Sequence, residues 1–189
     1  MKKSFSIILS IIVTITFMLS SCLSVEKKEY SFKVNTDGTG EGKIKYINII
    51  SEMDDSSDVS DVDFDELINN YINGTYFEDE NPNLFVTDKR LFEENGVLCG
   101  EVIFTFNSFQ QIGFYKYPKC DCSPVMYNLG NLSETYEISN GEYLGDETAM
   151  YFIVWESETK EFEFTTIVSS AIESSVSLLP RYLDWEANQ

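Results

Sequence analysis

Apolar and polar residues alternate along several stretches of the chain, which is the pattern of half-buried β-strands. Two such stretches flank the sequence DGTG, so residues 29–50 are predicted to form a β-hairpin whose turn uses glycine. The same pattern predicts a second hairpin over residues 84–106, with its turn at Asn95-Gly96, and a third over residues 150–168. Because strands joined by short turns pair antiparallel, these stretches predict a mostly antiparallel sheet.

Helical spacing occurs in two places. One amphipathic helix is predicted from an apolar face made of Phe64, Leu67, Ile68, Tyr71 and Ile72. Ser170 and Glu173 match a capping box, so a second helix is predicted there, stopping or kinking at Pro180. Proline and glycine predict a loop over residues 114–133. The predicted fold class is therefore α+β, a mostly antiparallel sheet built from hairpins with two helices packed on one face.

The first 22 residues have the organisation of an export signal. Lys2 and Lys3 precede an apolar run from residue 7 to residue 19, which is short for a spanning helix of about 20 residues. The run ends in Leu-Ser-Ser-Cys, which resembles the lipobox of bacterial lipoproteins. That resemblance implies cleavage before Cys22, acylation of Cys22, and a membrane as a partner through this lipid anchor. The alternatives are an uncleaved membrane anchor and a plain secretory leader with an unmodified Cys22.

The same resemblance organises the chain into three segments. Residues 1–21 are predicted to be the signal peptide, residues 22–28 a lipidated tether, and residues 29–189 a single α+β domain. The expected location is the exported side of the bacterial cell envelope. In an organism with two membranes, Leu23 after the acylated cysteine favours the outer membrane by the sorting rules of such lipoproteins.

The charge of the chain limits its partners. With 13 Lys+Arg against 32 Asp+Glu, the formal net charge is −19, and an acidic protein lacks the clustered cations that nucleic acid binding needs. No nucleic acid partner is therefore predicted. Acidic lipid headgroups would also repel this charge, so the folded part is expected to stand off the bilayer.

No catalytic or metal-binding residue is predicted. The chain has no histidine, which excludes Ser-His-Asp triads, Cys-His dyads and imidazole-dependent zinc sites. The sequence G-x-S-x-G is absent. Asp61, Asp63 and Asp65 alternate as in a calcium loop, but Glu66 and Ile72 stand where the EF-hand needs glycine and glutamate. We therefore predict no cofactor, no metal and no enzyme activity.

Three cysteines remain after Cys22. Cys120 and Cys122 lie in a loop flanked by prolines, and Cys99 begins a predicted core strand. In an exported protein, one disulfide between Cys99 and either loop cysteine would fasten the loop to the sheet and contribute about 2–4 kcal/mol. The alternatives are plain thiols, a redox role for the C-x-C pair, or a metal site.

Aromatic residues flank the cysteine loop, namely Phe114, Tyr115, Tyr117 and Tyr127. Exposed aromatics in a loop bind sugars or protein partners, whereas buried ones fill the core, which the Phe-rich neighbouring strands favour. If these aromatic side chains are exposed instead, residues 114–127 are a candidate binding loop for a small molecule or a glycan.

The segment Y-x-F-x-V-N-x-D-G-T-G, at residues 30–40 just after the lipobox, resembles the opening of LppM-type bacterial lipoproteins. The resemblance covers about 20 residues and implies an α+β domain exposed at the envelope, without established catalysis. The leading functional prediction is a non-enzymatic envelope lipoprotein that acts as an interaction or scaffold module for an unknown envelope protein. The alternative is a binding module for a small molecule or glycan that uses the 114–127 loop.

Overall fold

The computed structural model describes residues 22–53, 57–145, 151–170 and 172–189, so the predicted signal peptide lies outside the described residues. These residues contain eleven strands and three short α-helices. The strands are β1 Leu23–Val34, β2 Gly40–Glu52, β3 Phe85–Glu94, β4 Val97–Phe106, β5 Phe114–Lys116, β6 Val125–Asn128, β7 Thr135–Ser139, β8 Glu142–Tyr143, β9 Phe152–Trp155, β10 Glu161–Ile167 and β11 Ser175–Ser177. The helices are α1 Ser60–Glu66, which continues as a π-helix over Leu67–Ile72, α2 Tyr76–Glu80 and α3 Leu179–Glu186.

The large sheet has the strand order β3-β4-β2-β1-β10-β7, with β11 added beside the end of β2, and its pairs are antiparallel. The predicted hairpins β1–β2 and β3–β4 are confirmed. The tether predicted at residues 22–28 is wrong, because β1 begins at Leu23 and pairs with β2 from its first residue. Pairing satisfies the backbone groups of this segment, which therefore belongs to the sheet.

The small sheet has the order β5-β6-β9-β8 among the described strands. It contradicts two predictions from the sequence. The loop predicted over residues 114–133 contains strands β5 and β6. The hairpin predicted over residues 150–168 does not form, because β9 pairs with β6 and β8, whereas β10 crosses to the large sheet and pairs with β1.

The two sheets share a core of aromatic residues. Phe32 and Phe104 from the large sheet and Phe114 and Trp155 from the small sheet all belong to one buried cluster. Trp155 and Phe162 pack edge to face with their ring centroids 5.3 Å apart, across the change of sheet between β9 and β10. Burying both rings explains why the chain leaves the small sheet there instead of turning back as a hairpin.

A second core cluster lies under the helices. Phe64 and Leu67, from the predicted amphipathic helix, pack there with Leu98 of β4, so that helix is confirmed. The predicted second helix is displaced. Residues 175–177 form β11 and the helix begins only at Leu179, because Pro180 occupies the first turn, where its missing N–H costs nothing. The mostly antiparallel α+β character is thus confirmed, and the described residues contain three short α-helices where two were predicted.

Candidate functional site

The cysteines predicted to join the loop to the sheet do not do so. Cys120 and Cys122 are bonded to each other, with Cα atoms 5.1 Å apart, and the Cys99 thiol is not in a disulfide. Cys99 lies fully buried in β4, and burial raises the pKa of its thiol. The expected bond from Cys99 to the loop is therefore wrong, since the two loop cysteines sit within one turn and pair locally.

Cys22 lies immediately before β1, at one end of the large sheet. Its carbonyl oxygen accepts a hydrogen bond from the backbone N–H of Glu52, with N and O 2.7 Å apart. The predicted acylation site is thus held by the sheet itself. Its acylation stays a prediction.

The four aromatic residues of the predicted binding loop separate into two environments. Phe114 is buried in the shared core, and Tyr127 packs against that core from β6. Tyr115 and Tyr117 are exposed to solvent. Of the four, only Tyr127 lines a cavity between the large sheet and α2, so these aromatic residues do not form one site.

A cavity of about 460 Å³ lies between the large sheet, α2 and the turn before β5. This volume falls in the range of small-molecule sites. Six of the sixteen residues in its wall are aromatic, namely Tyr30, Phe32, Tyr46, Phe77, Phe104 and Tyr127. Gly113 shapes one side, since its φ of 79° suits glycine and a Cβ there would lie 3.1 Å from the Tyr127 ring.

A carboxylate lies against this aromatic wall. Glu134, just before β7, has a side chain only 6% exposed. Its oxygens accept hydrogen bonds from the Lys28 ammonium at 2.7 Å, the Tyr30 hydroxyl at 2.9 Å and the Thr166 hydroxyl at 2.6 Å. The group therefore joins β1 and β10 through a network in which the buried charge is paired and bonded. A carboxylate held by three donors is suited to fix the geometry of a cavity.

The cation of this network also touches the aromatic wall. The Lys28 nitrogen lies 5.7 Å from the centre of the Tyr46 ring, within the range of a cation–π contact. Lys28 thus occupies the position that a cationic ligand would take between the rings and Glu134. Neither Lys28 nor Glu134 was found from the sequence.

The hydroxyls of Tyr46 and Tyr127 belong to residues of this wall, and the described residues leave no fully buried side-chain polar atom without a hydrogen-bond partner. Burial, followed by the charge of Glu134, raises the pKa of Tyr127 to about 12 and raises that of Tyr46 as well. Both groups are therefore neutral at physiological pH, and each can donate one hydrogen bond and accept others. The wall thus offers hydrogen bonding to a ligand besides its apolar surface.

An adjoining cavity of about 280 Å³ extends the first one beneath the π-helix. The two cavities share Lys28, Tyr46 and Glu80 in their walls. The second is lined mainly by aliphatic side chains such as Leu67 and Ile72. Together they form a groove along the large sheet, polar and aromatic at one end and aliphatic at the other.

Within the part of the chain that the structure describes, no group of three His, Cys, Asp or Glu side chains is placed to hold a metal ion. Two aspartates of the calcium-like pattern make contacts within the protein. Asp63 accepts a hydrogen bond from the Ser51 hydroxyl, and Asp61 pairs with Arg181. None of the described helices is long and apolar enough to cross a membrane.

Comparison with known proteins gives no assignment. The chain matches no protein-family model, no curated protein and no solved structure.

Proposed function

We propose that this protein is a non-catalytic lipoprotein of the bacterial cell envelope, anchored through acylated Cys22, that binds a small uncharged hydroxylated molecule such as a glycan unit. The observation that carries the binding proposal is the 460 Å³ aromatic cavity whose wall presents the Tyr46 and Tyr127 hydroxyls. Sugar rings have one apolar face that stacks on aromatic rings and an edge of hydroxyls that bonds to polar groups.

The charges around the cavity favour an uncharged ligand. A cation would have to displace Lys28, which already pairs with Glu134 and lies over Tyr46. An anion would meet the Glu134 carboxylate and, at the mouth, Glu80, in a chain of formal charge −19. A neutral hydroxyl has neither difficulty, because it can accept from Lys28 and exchange hydrogen bonds with the tyrosines.

The cavity changes the order of the two functional predictions from the sequence. An interaction or scaffold module was favoured there, and a flat apolar surface would have supported it. An aromatic cavity with tyrosines in its wall supports the binding module instead. The binding surface is then the cavity wall, to which the 114–127 loop contributes Tyr127.

Binding is tested by nuclear magnetic resonance on residues 22–189 carrying Cys22→Ser, since both core clusters consist of residues from Val25 onward. The probes are the methyl glycosides of glucose, galactose and N-acetylglucosamine. The expected result is a saturable shift of the Gly113 and Glu134 amides with one of these probes. Shifts at Tyr115 and Tyr117 alone, or no shift with any probe, would overturn the proposal.

Anchoring is tested in cells with Cys22→Ala. The variant is expected to lose acylation and to accumulate as an unprocessed precursor, and Cys99→Ala serves as the control that leaves processing unchanged. Mass spectrometry of the mature N-terminus reports acylation directly. Normal processing and full membrane retention of Cys22→Ala would contradict the anchor. In an organism with two membranes we propose the outer membrane as the location.

A further inference from the structure

We infer that the end of the large sheet carrying Cys22 lies directly against the bilayer surface and that the protein stands upright on it, with lipid headgroups as its partner. This inference rests on the lipid anchor of the proposed function. It replaces the expectation that the acidic domain stands off the membrane on a flexible tether.

No flexible linker separates Cys22 from the first strand of the fold. The Cys22 carbonyl is hydrogen-bonded to the Glu52 N–H at 2.7 Å, and Leu23 is already paired with Ser51. The same Ser51 is paired on its other side with Val176 of β11. An acyl group on Cys22 therefore starts from the end of three neighbouring strands, with no unpaired residue between the anchor and the sheet.

The strands of the large sheet run from the end that carries Cys22 to a far end. β1 has 12 residues, so its far end lies roughly 35–40 Å from Cys22 at about 3.3 Å per residue. The β1–β2 turn at Gly38 and the start of β3 at Phe85 both belong to that far end, because Phe85 is paired with Thr105 and Gly40 with Phe106. Contact at the Cys22 end therefore places these two residues well away from the bilayer.

The near end of the large sheet, which is the end that carries Cys22, exposes apolar side chains. Met53 follows Glu52 and is 44% exposed, and Val62 of α1 is 62% exposed. α1 is held at this end by the hydrogen bond from the Ser51 hydroxyl to Asp63. Exposed apolar side chains beside an acylated residue can be buried at the interface of a bilayer. Phe85 at the far end is 57% exposed, a value between those of Met53 and Val62, and provides a matched comparison.

The charge of the near end selects the kind of membrane. Asp58 lies there beside α1 and Glu52 at the end of β2, whereas Asp61 on α1 is paired with Arg181. Within about one Debye length, roughly 8 Å at physiological salt, such acids are repelled by anionic headgroups. The surface that fits is therefore rich in zwitterionic or uncharged lipids.

The experiment measures relaxation of backbone amide signals of the intact lipidated protein in phosphatidylcholine bicelles doped with a gadolinium-bearing lipid. The effect of gadolinium falls steeply with distance. We expect the Glu52 and Val176 signals to be lost and the Gly38 and Phe85 signals to be retained. Equal retention, or equal loss, of all four signals would overturn the inference.

A matched variant separates contact from simple attachment. Inserting a flexible Gly-Ser segment between Cys22 and Leu23 keeps the anchor but restores a tether, so the difference between near and far signals is expected to disappear. Failure of the anchor itself is recognised by mass spectrometry of the same sample. If acylation has failed, the measurement is repeated with a maleimide lipid coupled to Cys22. The pattern of lost and retained signals then still decides the orientation.

Discussion

The ammonium nitrogen of Lys28 lies 2.7 Å from a carboxylate oxygen of Glu134, although 106 positions separate the two residues in the chain. The pair joins the middle of β1 to the segment that enters β7, two strands that flank β10 in the large sheet. Thr166 of β10 donates to the same carboxylate, so three strands converge on one charge. This charge sits against the aromatic wall and keeps that wall in place.

Changing Glu134→Gln is expected to destabilise the protein by about 1–3 kcal/mol. The substitution removes the charge that compensates the part-buried Lys28 and weakens the hydrogen bonds from Tyr30 and Thr166. Denaturant unfolding of the wild type and the variant measures the difference directly.

The control for this prediction is Glu137→Gln. Glu137 pairs with Lys27, the residue before Lys28, but both side chains are about one third exposed, so solvent screens the interaction. A change of less than about 0.5 kcal/mol is expected. Equal effects of the two substitutions would show that the Glu134 network contributes no more than a surface ion pair.

Because of Tyr127, we expect the folded protein to lose stability at alkaline pH. Burial, followed by the charge of Glu134, raises its pKa to about 12 in the folded state, against about 10 when unfolded. Because the folded pKa is the higher one, the contribution is fully present below about pH 10 and is lost as pH rises toward about 12. Unfolding experiments across this window should show a shallower decline for Tyr127→Phe than for the wild type.

A variant at Tyr115, which lies outside the cavity, tests whether that decline is specific to the cavity. Its side chain is exposed, so Tyr115→Phe is expected to follow the wild-type profile. A decline that is identical in all three proteins would exclude a contribution from Tyr127.

The cysteine arrangement predicts a thiol count. Denatured mature protein should show one reactive thiol without reductant, from Cys99, because Cys120 and Cys122 are bonded to each other and Cys22 is acylated. Three thiols are expected after reduction. Three before reduction would exclude the disulfide, and the appearance of a further thiol at Cys22 would contradict acylation.

The elements that were predicted correctly are those specified by neighbouring residues. The β1–β2 and β3–β4 hairpins each join two apolar-rich strands that are neighbours in the sequence through a glycine turn, and the π-helix carries its own apolar face. The small sheet was missed because its strands have two to four residues and pair with distant segments. Strands that short show no reliable alternation.

The candidate site shows the same division. Tyr127 was selected because aromatic residues cluster in the sequence around the cysteine loop, and in the structure it lines the cavity. Lys28 and Glu134 could not be selected, since 13 cations and 32 acids offer many pairs and only the fold brings this pair together. Lys28 was assigned to a tether because residues 22–28 follow the predicted cleavage site, yet β-pairing places it inside the sheet.

The most direct test of the binding account is calorimetric titration of the wild type, Tyr127→Phe and Tyr115→Phe with the methyl glycoside that gives the largest shifts. Removing the Tyr127 hydroxyl while keeping its ring is expected to weaken binding about twofold to tenfold, the value of one hydrogen bond. Tyr115→Phe should bind as the wild type does. Unchanged affinity for Tyr127→Phe together with weaker binding by Tyr115→Phe, or no binding by the wild type, would contradict a ligand in the aromatic cavity.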